Sequence, residues 1–233
     1  SEIWGVDAIR YLIAERRKKG SAQHTLSTNM FEWQMQMRFY LRHADSDEDS
    51  SCRLRIGAYS LDYGFEFIEF KEAFCLSMTS LKTMMGFAMV MQHRMVVTLG
   101  SSLRATPCAG KTETFKQMAM SAGKHMVIYH ASPFVSSKCI TVNLLGLTQS
   151  GAWGLFENFD RMSARLMCYS ACLIKSVMSA ARGGRMADVD GIQITPTSEC
   201  GLFISLGGHM ARNGSDLPHD LRLLMRPVSV FPP

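Results

Sequence analysis

The feature that most constrains this chain is an alternation of short apolar segments with segments of helical periodicity. Four apolar segments have the length and composition of buried strands: 94–99, 126–130, 153–156 and 201–206. The first three are each followed by a helix-like segment: 114–122, 140–149 and 162–181. Strands connected in this way run parallel in one sheet, and the helices cover both faces of it. The sequence therefore predicts an α/β fold with a mostly parallel sheet flanked by helices.

The segments around this alternation follow from the same periodicities. We predict helices over 3–19, 30–40, 73–91 and 217–225. We predict strands within 53–70 with a turn at Tyr63–Gly64, a short strand or hairpin edge at 192–194, and a last strand at 228–231.

Charge, hydropathy and cysteine usage restrict the function classes. The net charge of +5 is too small to indicate nucleic acid as a partner, and the longest apolar stretch near the middle, 83–92, is too short for a membrane span. No signal peptide is recognisable, and the seven cysteines are widely spaced, so we expect reduced thiols and a cytoplasmic setting. The chain begins at Ser1, which suggests a piece of a longer protein or a processed one.

A phosphate-binding loop is predicted where the strand at 94–99 leads to Gly110-Lys111-Thr112 and a helix. Backbone amides at a helix N-terminus bind phosphate, the lysine reaches the β- and γ-phosphates, and the threonine hydroxyl can ligate Mg²⁺. Glycines early in such a loop let the backbone approach the phosphate. Ala105 and Cys108 place a β-carbon there instead, which narrows or re-aims the loop.

A second motif follows the strand at 153–156. Glu157 is placed to hold the magnesium shell, and Asn158 stands where a second carboxylate would polarise the attacking water. Loss of a general base costs about 10²–10⁴ in rate, and an amide cannot accept the proton. His130 ends a strand near the same place and could contact a ligand, although a core or rim histidine is the simpler interpretation.

Six stretches of the chain resemble the first AAA+ module of the dynein heavy chain family, in the family's order and close to its spacing. They are 31–40 (FEWQMQMRFY), 62–67 (DYGFEF), 109–116 (AGKTETFK), 146–161 (GLTQSGAWGLFENFDR), 201–206 (GLFISL) and 216–227 (DLPHDLRLLMRP). The altered motifs within them most resemble a diverged protein that carries the dynein heavy chain domain, not a standard motor chain.

The resemblance implies an AAA+ P-loop NTPase large subdomain over 31–233, without the small helical lid. It implies that 1–30 is the end of a linker-like helical segment and that the whole is a fragment of a much longer chain. ATP or ADP with Mg²⁺ is the implied ligand. The implied nucleotide-binding residues are Cys108, Ala109, Gly110, Lys111, Thr112 and Glu113, and the implied magnesium ligands are Thr112 and Glu157.

The chain departs from the family pattern at the residues that carry hydrolysis. The family's GPAGTGKT loop is ATPCAGKT at 105–112, and its FDEFNR is FENFDR at 156–161. In the family's ITMNPG the Asn is a sensor near the γ-phosphate, and Gly207 takes its place here. Arg226 matches an arginine that can act as a finger on a neighbouring site; a surface arginine at a helix C-terminus is the alternative.

Three functions remain open after these comparisons of motifs. The first is a pseudo-ATPase module that binds nucleotide weakly as a structural or regulatory part of a dynein-like ring. The second is an active ATPase motor module, and the third is a scaffold that no longer binds nucleotide. The resemblance further implies, as partners, the rest of the ring and linker, with dynein-associated chains and microtubules contacted through other regions. The resemblance also implies a location at the cytoskeleton, which includes the axoneme of a cilium or sperm flagellum.

Overall fold

The computed structural model describes residues 31–42, 51–66, 78–100, 110–197, 199–207 and 217–229. The linker-like helix predicted within 1–30 lies outside these residues, as do Cys108 and Ala109 of the phosphate loop.

The described elements alternate between strands and helices over most of the chain. In order they are α1 (Phe31–Gln34), β1 (Arg38–Arg42), β2 (Ser51–Ile56), β3 (Tyr59–Asp62), α2 (Met78–Gln92), β4 (Val96–Gly100), α3 (Lys111–Ser121), β5 (Met126–His130), α4 (Ser137–Ser150), β6 (Trp153–Glu157), a 3₁₀ turn (Phe159–Arg161), α5 (Ala164–Gly183), β7 (Ala187–Val189), β8 (Ile192–Ile194), β9 (Gly201–Ser205), α6 (His219–Leu224) and β10 (Met225–Ser229).

A five-stranded parallel sheet organises the molecule, in the order β10-β4-β9-β6-β5. The four strands predicted from the apolar segments form its centre and one edge, and β10 forms the other edge. Parallel strands end at the same side of a sheet, so the residues that follow β5, β6 and β9 lie close to one another. This confirms the predicted α/β class.

Successive residues of the central strands point to opposite faces of the sheet, as the period of two requires. Val97, Leu155 and Phe203 pack with helices α2 and α3 on one face. Val96, Phe156 and Ile204 pack with α4, α5 and α6 on the other face. Both faces are therefore covered, which explains why these strands read as continuous apolar runs. None of the helices in the described ranges is both long enough and apolar enough to cross a membrane.

An aromatic cluster fixes helix α3 against the sheet on the first face. The rings of Phe87 and Phe115 stack with centroids 4.8 Å apart, and Phe115 meets Phe203 edge-on at 5.0 Å. All three side chains are fully buried. Since α3 begins directly after the phosphate-loop glycine, this cluster sets where the loop's lysine and threonine lie.

The prediction of a helix over 30–40 was wrong for its second half. The helix covers only Phe31–Gln34, and Arg38–Arg42 forms an antiparallel strand paired with β2. Long-range pairing has overridden the local period here, because aromatic residues such as Phe39 and Tyr40 suit a strand well. The resulting small sheet, β1-β2-β3, buries Leu54 and Ile56 in the same cluster as the aromatic rings.

Several other boundaries differ from the sequence-based ones, including the starts of α3 at Lys111 and α4 at Ser137, each three residues before the predicted 114 and 140. The turn within 53–70 lies at Gly57–Ala58, where Gly57 takes a left-handed φ of 60°, and not at Tyr63–Gly64. Helix α6 ends at Leu224, so that strand β10 begins at Met225, three residues before the predicted 228. The hairpin edge predicted at 192–194 is confirmed as β8, which pairs with β7.

Candidate nucleotide site

Helix α3 presents its N-terminus at the end of the sheet where strands β6 and β9 finish. Gly110 precedes the helix with φ 74° and ψ 19°, a left-handed conformation that glycine adopts without strain. Thr114 donates its amide and its hydroxyl to the Gly110 carbonyl, at 2.9 and 2.8 Å. The first amides of α3 remain directed outward along the helix axis, where they can bind an anion.

Lys111 and Thr112, the first two residues of α3, reach the ends of the neighbouring strands. The Lys111 ammonium group donates to the carbonyl of Leu206, just after β9, at 2.9 Å. The Thr112 hydroxyl donates to Oε1 of Glu157, the last residue of β6. The structure thus brings the adjacent residues Lys111 and Thr112 to the end of β9 and to Glu157, which lies 45 residues beyond Thr112 in the sequence.

Glu157 has a second partner that the motifs did not predict. Its Oε2 lies 2.8 Å from Nδ1 of His130, the residue directly opposite it across the β5–β6 pair. The Glu157 side chain is 19% exposed, whereas the His130 side chain is 75% exposed. The strand register is the signal that could have identified His130, because both residues close their strands at the same edge.

The two altered positions Asn158 and Gly207 lie against each other. A β-carbon placed on Gly207 would stand 2.7 Å from Oδ1 of Asn158 and 3.3 Å from Oδ1 of Asp160. The Gly207 amide donates to that Asp160 oxygen at 2.7 Å. Asp160 was not among the predicted site residues, and it is the group that ties the end of β9 to the turn after β6.

The oxygen donors present suit a magnesium ion. Mg²⁺ prefers hydroxyl, carboxylate, phosphate and water oxygens, and Thr112 and Glu157 offer a hydroxyl and a carboxylate in direct contact. Within the described ranges, no three His, Cys, Asp or Glu side chains cluster as a metal site formed by protein groups alone. A magnesium ion held here would therefore complete its shell with phosphate and water oxygens.

Two predicted residues point elsewhere. The exposed Glu113 carboxylate accepts from Nζ of Lys116 one turn along the helix, at 2.6 Å. Arg226 is exposed on the edge strand β10, opposite Val97 of β4, and helix α6 has already ended two residues before it. Its role as a finger, which requires a neighbouring module, stays a prediction.

Burial affects one titrating group beside the site. Tyr129 precedes His130 on β5 and stacks on Phe156, with ring centroids 5.3 Å apart. Burial, helped by the nearby Cys139, raises the pKa of the Tyr129 hydroxyl. Tyr129 therefore stays protonated and neutral around pH 7 and adds no charge to the rim of the site.

Comparison with known proteins gives the family. The model of the family described as the hydrolytic ATP binding site of the dynein motor region matches residues 63–233. The chain is 27% identical to the cytoplasmic dynein heavy chain of Caenorhabditis elegans over 210 residues, and 28% identical to human dynein axonemal heavy chain 2 over 211 residues. It is 29% identical to the flagellar outer arm dynein beta chain of Chlamydomonas reinhardtii over 205 residues.

These alignments cover 87 to 89% of this chain and 4% of the length of each relative. The matched region contains the glycine, lysine and threonine at the start of α3, the Glu157 motif and the end of β9. The chain belongs to the dynein heavy chain family, in the region described as the hydrolytic ATP binding site of the dynein motor.

Proposed function

We propose that this chain is a nucleotide-holding module of a dynein-like AAA+ ring, in which hydrolysis is impaired. One observation supports the proposal: Lys111 and Thr112 at the start of α3 contact Leu206 after β9 and Glu157 at the end of β6, while an amide occupies position 158. In this view the module is a pseudo-ATPase, which binds ATP or ADP weakly and serves a structural or regulatory role.

Binding is supported by the state of the lysine and of the helix end. The hydrogen bond of Lys111 goes to a carbonyl, so this contact leaves its positive charge uncompensated for a phosphate. The amides at the start of α3 add partial positive charge at the same place. A bound Mg²⁺, held by Thr112 and Glu157, would neutralise part of the phosphate charge.

Impaired hydrolysis is supported by the groups beside the lysine. Asn158 cannot take a proton from water, and Gly207 offers no side chain to orient it. Asp160 supplies a carboxylate nearby, but one of its oxygens already accepts from the Gly207 amide. Loss of general-base assistance alone accounts for about 10²–10⁴ in rate.

Two other functions compete with this one. An active ATPase motor would need Glu157 or a water network to replace the missing base, yet Glu157 already contacts both Thr112 and His130. A scaffold without nucleotide would be consistent with Ala105 and Cys108 in the loop, but it gives no reason for the preserved contacts of Lys111 and Thr112. Nucleotide binding with little turnover agrees with more of the site than either alternative.

The wider setting follows from the relatives. Since the chain spans about 4% of their length, the activity and partners of the whole protein are inferred only from family membership. We infer that the module contacts the rest of its own ring and linker, and that dynein-associated chains and microtubules bind other regions. The relatives are named as cytoplasmic, axonemal and flagellar chains, which favours the cytoskeleton, including an axoneme.

Equilibrium binding of ATP and ADP to the full-length chain, with and without Mg²⁺, tests the proposal. Lys111→Ala should abolish the binding that belongs to this site. Lys175→Ala removes an exposed lysine that pairs with Asp220 on the opposite face, and it should leave binding unchanged. If Lys111→Ala changes nothing in a folded protein, the nucleotide proposal fails and the scaffold remains.

The rate of ATP hydrolysis distinguishes the pseudo-ATPase from the active motor. The unaltered chain should show no ATP hydrolysis that depends on Lys111. Asn158→Glu restores a carboxylate at the position where the base is missing, and it should produce hydrolysis that Lys111→Ala removes. Hydrolysis of ATP by the unaltered site at a rate typical of enzymes, above about 1 s⁻¹, would instead establish the active motor.

A further inference from the structure

We propose that His130 is a positioning residue, which holds the Glu157 carboxylate in the orientation that binds the magnesium ion of the nucleotide. The inference rests on the nucleotide binding proposed above and deepens it. His130 acts through Glu157 and contacts neither the ion nor the phosphates.

The first step is that the backbones of the two residues are fixed against each other. His130 and Glu157 pair as the last residues of β5 and β6. The pairing continues one residue further, because the Ala131 amide donates to the Glu157 carbonyl at 2.9 Å. One residue earlier, the rings of Tyr129 and Phe156 stack with centroids 5.3 Å apart. The two strand ends therefore cannot slide past each other without breaking contacts on both sides of the pair.

The second step is that both side chains point to the face of the sheet that carries α3. Side chains alternate along a strand, and Ile128 and Leu155, two residues earlier, pack in the same cluster as the buried residues of α3. His130 and Glu157 continue these two rows, so they lie on the side of α3. The contact of the Thr112 hydroxyl with Glu157 agrees with this placement.

The third step is that the Glu157 carboxylate is divided between two partners. Thr112 contacts Oε1, and Nδ1 of His130 lies 2.8 Å from Oε2. A nitrogen so close to a carboxylate oxygen carries the proton between them, because two lone pairs would repel each other. Both the neutral ring with its proton on Nδ1 and the charged ring meet this condition. An ion that takes the place of the Thr112 contact at Oε1 leaves the His130 contact at Oε2 intact.

The fourth step is the reason why this carboxylate needs a second partner. Glutamate has an additional rotatable bond compared with aspartate, so it loses more rotamer freedom when it binds an ion. The Glu157 side chain is 19% exposed at the end of its strand. A polar partner on Oε2 restricts its rotamers before the ion binds. Residues that orient a metal ligand in this way typically change the metal affinity by about 10- to 100-fold.

The test compares His130→Leu with His130→Asn in the full-length chain, counting only the nucleotide binding that Lys111→Ala removes. Leucine lacks a donor, whereas the NH₂ group of asparagine is the same number of bonds from the backbone as Nδ1. His130→Leu should weaken ATP and ADP binding by about tenfold with Mg²⁺ and leave magnesium-free binding unchanged. His130→Asn should keep most of the affinity, because it keeps a donor for Oε2.

Three controls separate positioning from a structural role. The His130 side chain is 75% exposed, so neither substitution should change the unfolding midpoint. His125→Leu makes the same change at an exposed histidine directly before β5 begins, and it should alter no dissociation constant. In a Glu157→Gln background, which lacks the charge that attracts the ion, His130→Leu should cause no further loss, because it acts only through Glu157.

Manganese in place of magnesium distinguishes positioning from direct ligation. The pulsed EPR spectrum of the Mn²⁺ that binds with nucleotide at the Lys111-dependent site should lack the nitrogen coupling of a bound imidazole. A coupling that is present in the unaltered chain and lost in His130→Asn would make His130 a metal ligand and overturn the inference.

Other outcomes would also overturn the inference while Lys111-dependent binding, and with it the proposed function, survives. The inference is wrong if His130→Leu weakens binding equally with and without Mg²⁺, or not at all. It is wrong if His130→Asn binds as weakly as His130→Leu, or if the affinity of the unaltered chain does not depend on Mg²⁺. If no nucleotide binding depends on Lys111, the proposed function fails and the inference fails with it.

Discussion

At the scale of single residues, Glu157 determines how the site would respond to a metal ion. Its carboxylate contacts the Thr112 hydroxyl through one oxygen and Nδ1 of His130 through the other. A glutamate reaches one methylene further than the aspartate of the family motif, so it spans from the end of β6 to helix α3 without an ion between them. An ion that binds here must replace the Thr112 contact.

Glu157→Gln should therefore reduce the magnesium-dependent part of ATP affinity and leave magnesium-free binding nearly unchanged. The amide keeps the size of the side chain and its ability to accept from Thr112, but it loses the charge that attracts Mg²⁺. We expect a loss of about tenfold with Mg²⁺ present, measured by equilibrium titration. Asp62→Asn, which removes an exposed carboxylate paired with Arg53 in the small sheet, is the control. Equal losses with and without Mg²⁺ would assign Glu157 a structural role instead.

At the scale of elements, the approach of helix α4 to strand β6 is unusually close at Gly154. A β-carbon on Gly154 would stand 2.2 Å from Cδ1 of Leu147, a fully buried side chain of α4. Strand β6 ends in Glu157 and Asn158, so its position sets the geometry of the site. The absence of a side chain at Gly154 lets the helix and the strand pack directly.

Gly154→Ala should destabilise the protein by about 1–3 kcal/mol through overpacking, and it should weaken ATP binding by moving β6. Leu147→Ala alone should cost about 2–5 kcal/mol, as a buried leucine does. The double variant should lose less than the sum, because each change makes room for the other. Unfolding midpoints and nucleotide titrations measure both effects. Gly146→Ala is the control, because it adds a methyl group to the same helix in open space and should not destabilise the protein. If the losses of Gly154→Ala and Leu147→Ala add up in the double variant, the close contact between the two residues is contradicted.

The sequence predicted well those elements that can be recognised from the residues of their own segment. The segments 153–156 and 201–206 are apolar on both faces, which identifies buried parallel strands without knowledge of their partners. The segment 126–130 was predicted as a buried strand too, but it forms β5, a half-buried strand at the edge of the sheet. Strand β1 was missed because its pairing with β2 is a long-range contact that a helical period concealed. The site divides in the same way: Lys111 and Thr112 come from one motif, whereas the contacts His130–Glu157 and Asn158–Gly207 exist only once strand order and register are known.

At the scale of the whole molecule, the cysteines differ in how far their thiols are exposed to solvent. Among the described residues, Cys139, Cys168 and Cys172 are exposed, while Cys52 is buried and Cys200 is partly covered before strand β9. Burial raises the pKa of the Cys52 thiol and raises that of the Cys200 thiol to about 12. The thiolate is the reactive form of cysteine. Poor access of a reagent and a raised pKa therefore both slow the reaction of a covered thiol.

Alkylation should therefore separate the five thiols of the described ranges into two groups. At pH 8 an alkylating reagent should modify the exposed Cys139, Cys168 and Cys172 quickly, and the covered Cys52 and Cys200 slowly. It should modify Cys200 much more slowly than a free thiol, because burial raises the pKa of this thiol from 9.0 to about 12 and leaves little thiolate at pH 8. Denaturant should remove the difference. Mass spectrometry of the modified peptides measures each rate, and fast labelling of Cys200 in the folded protein would show that β9 opens.

The same thiol makes stability depend on pH in a defined window. The unfolded chain releases the Cys200 proton near pH 9, whereas the folded chain keeps it until about 12. Its contribution is complete below pH 9 and is lost as the pH rises from 9 to 12, because only the unfolded state gains from deprotonation there. Cys200→Ala removes this contribution, so the fall of the unfolding midpoint across the window should become shallower, while Cys52 still supplies part of the slope. An unchanged slope in Cys200→Ala would mean that water reaches this thiol in the folded protein.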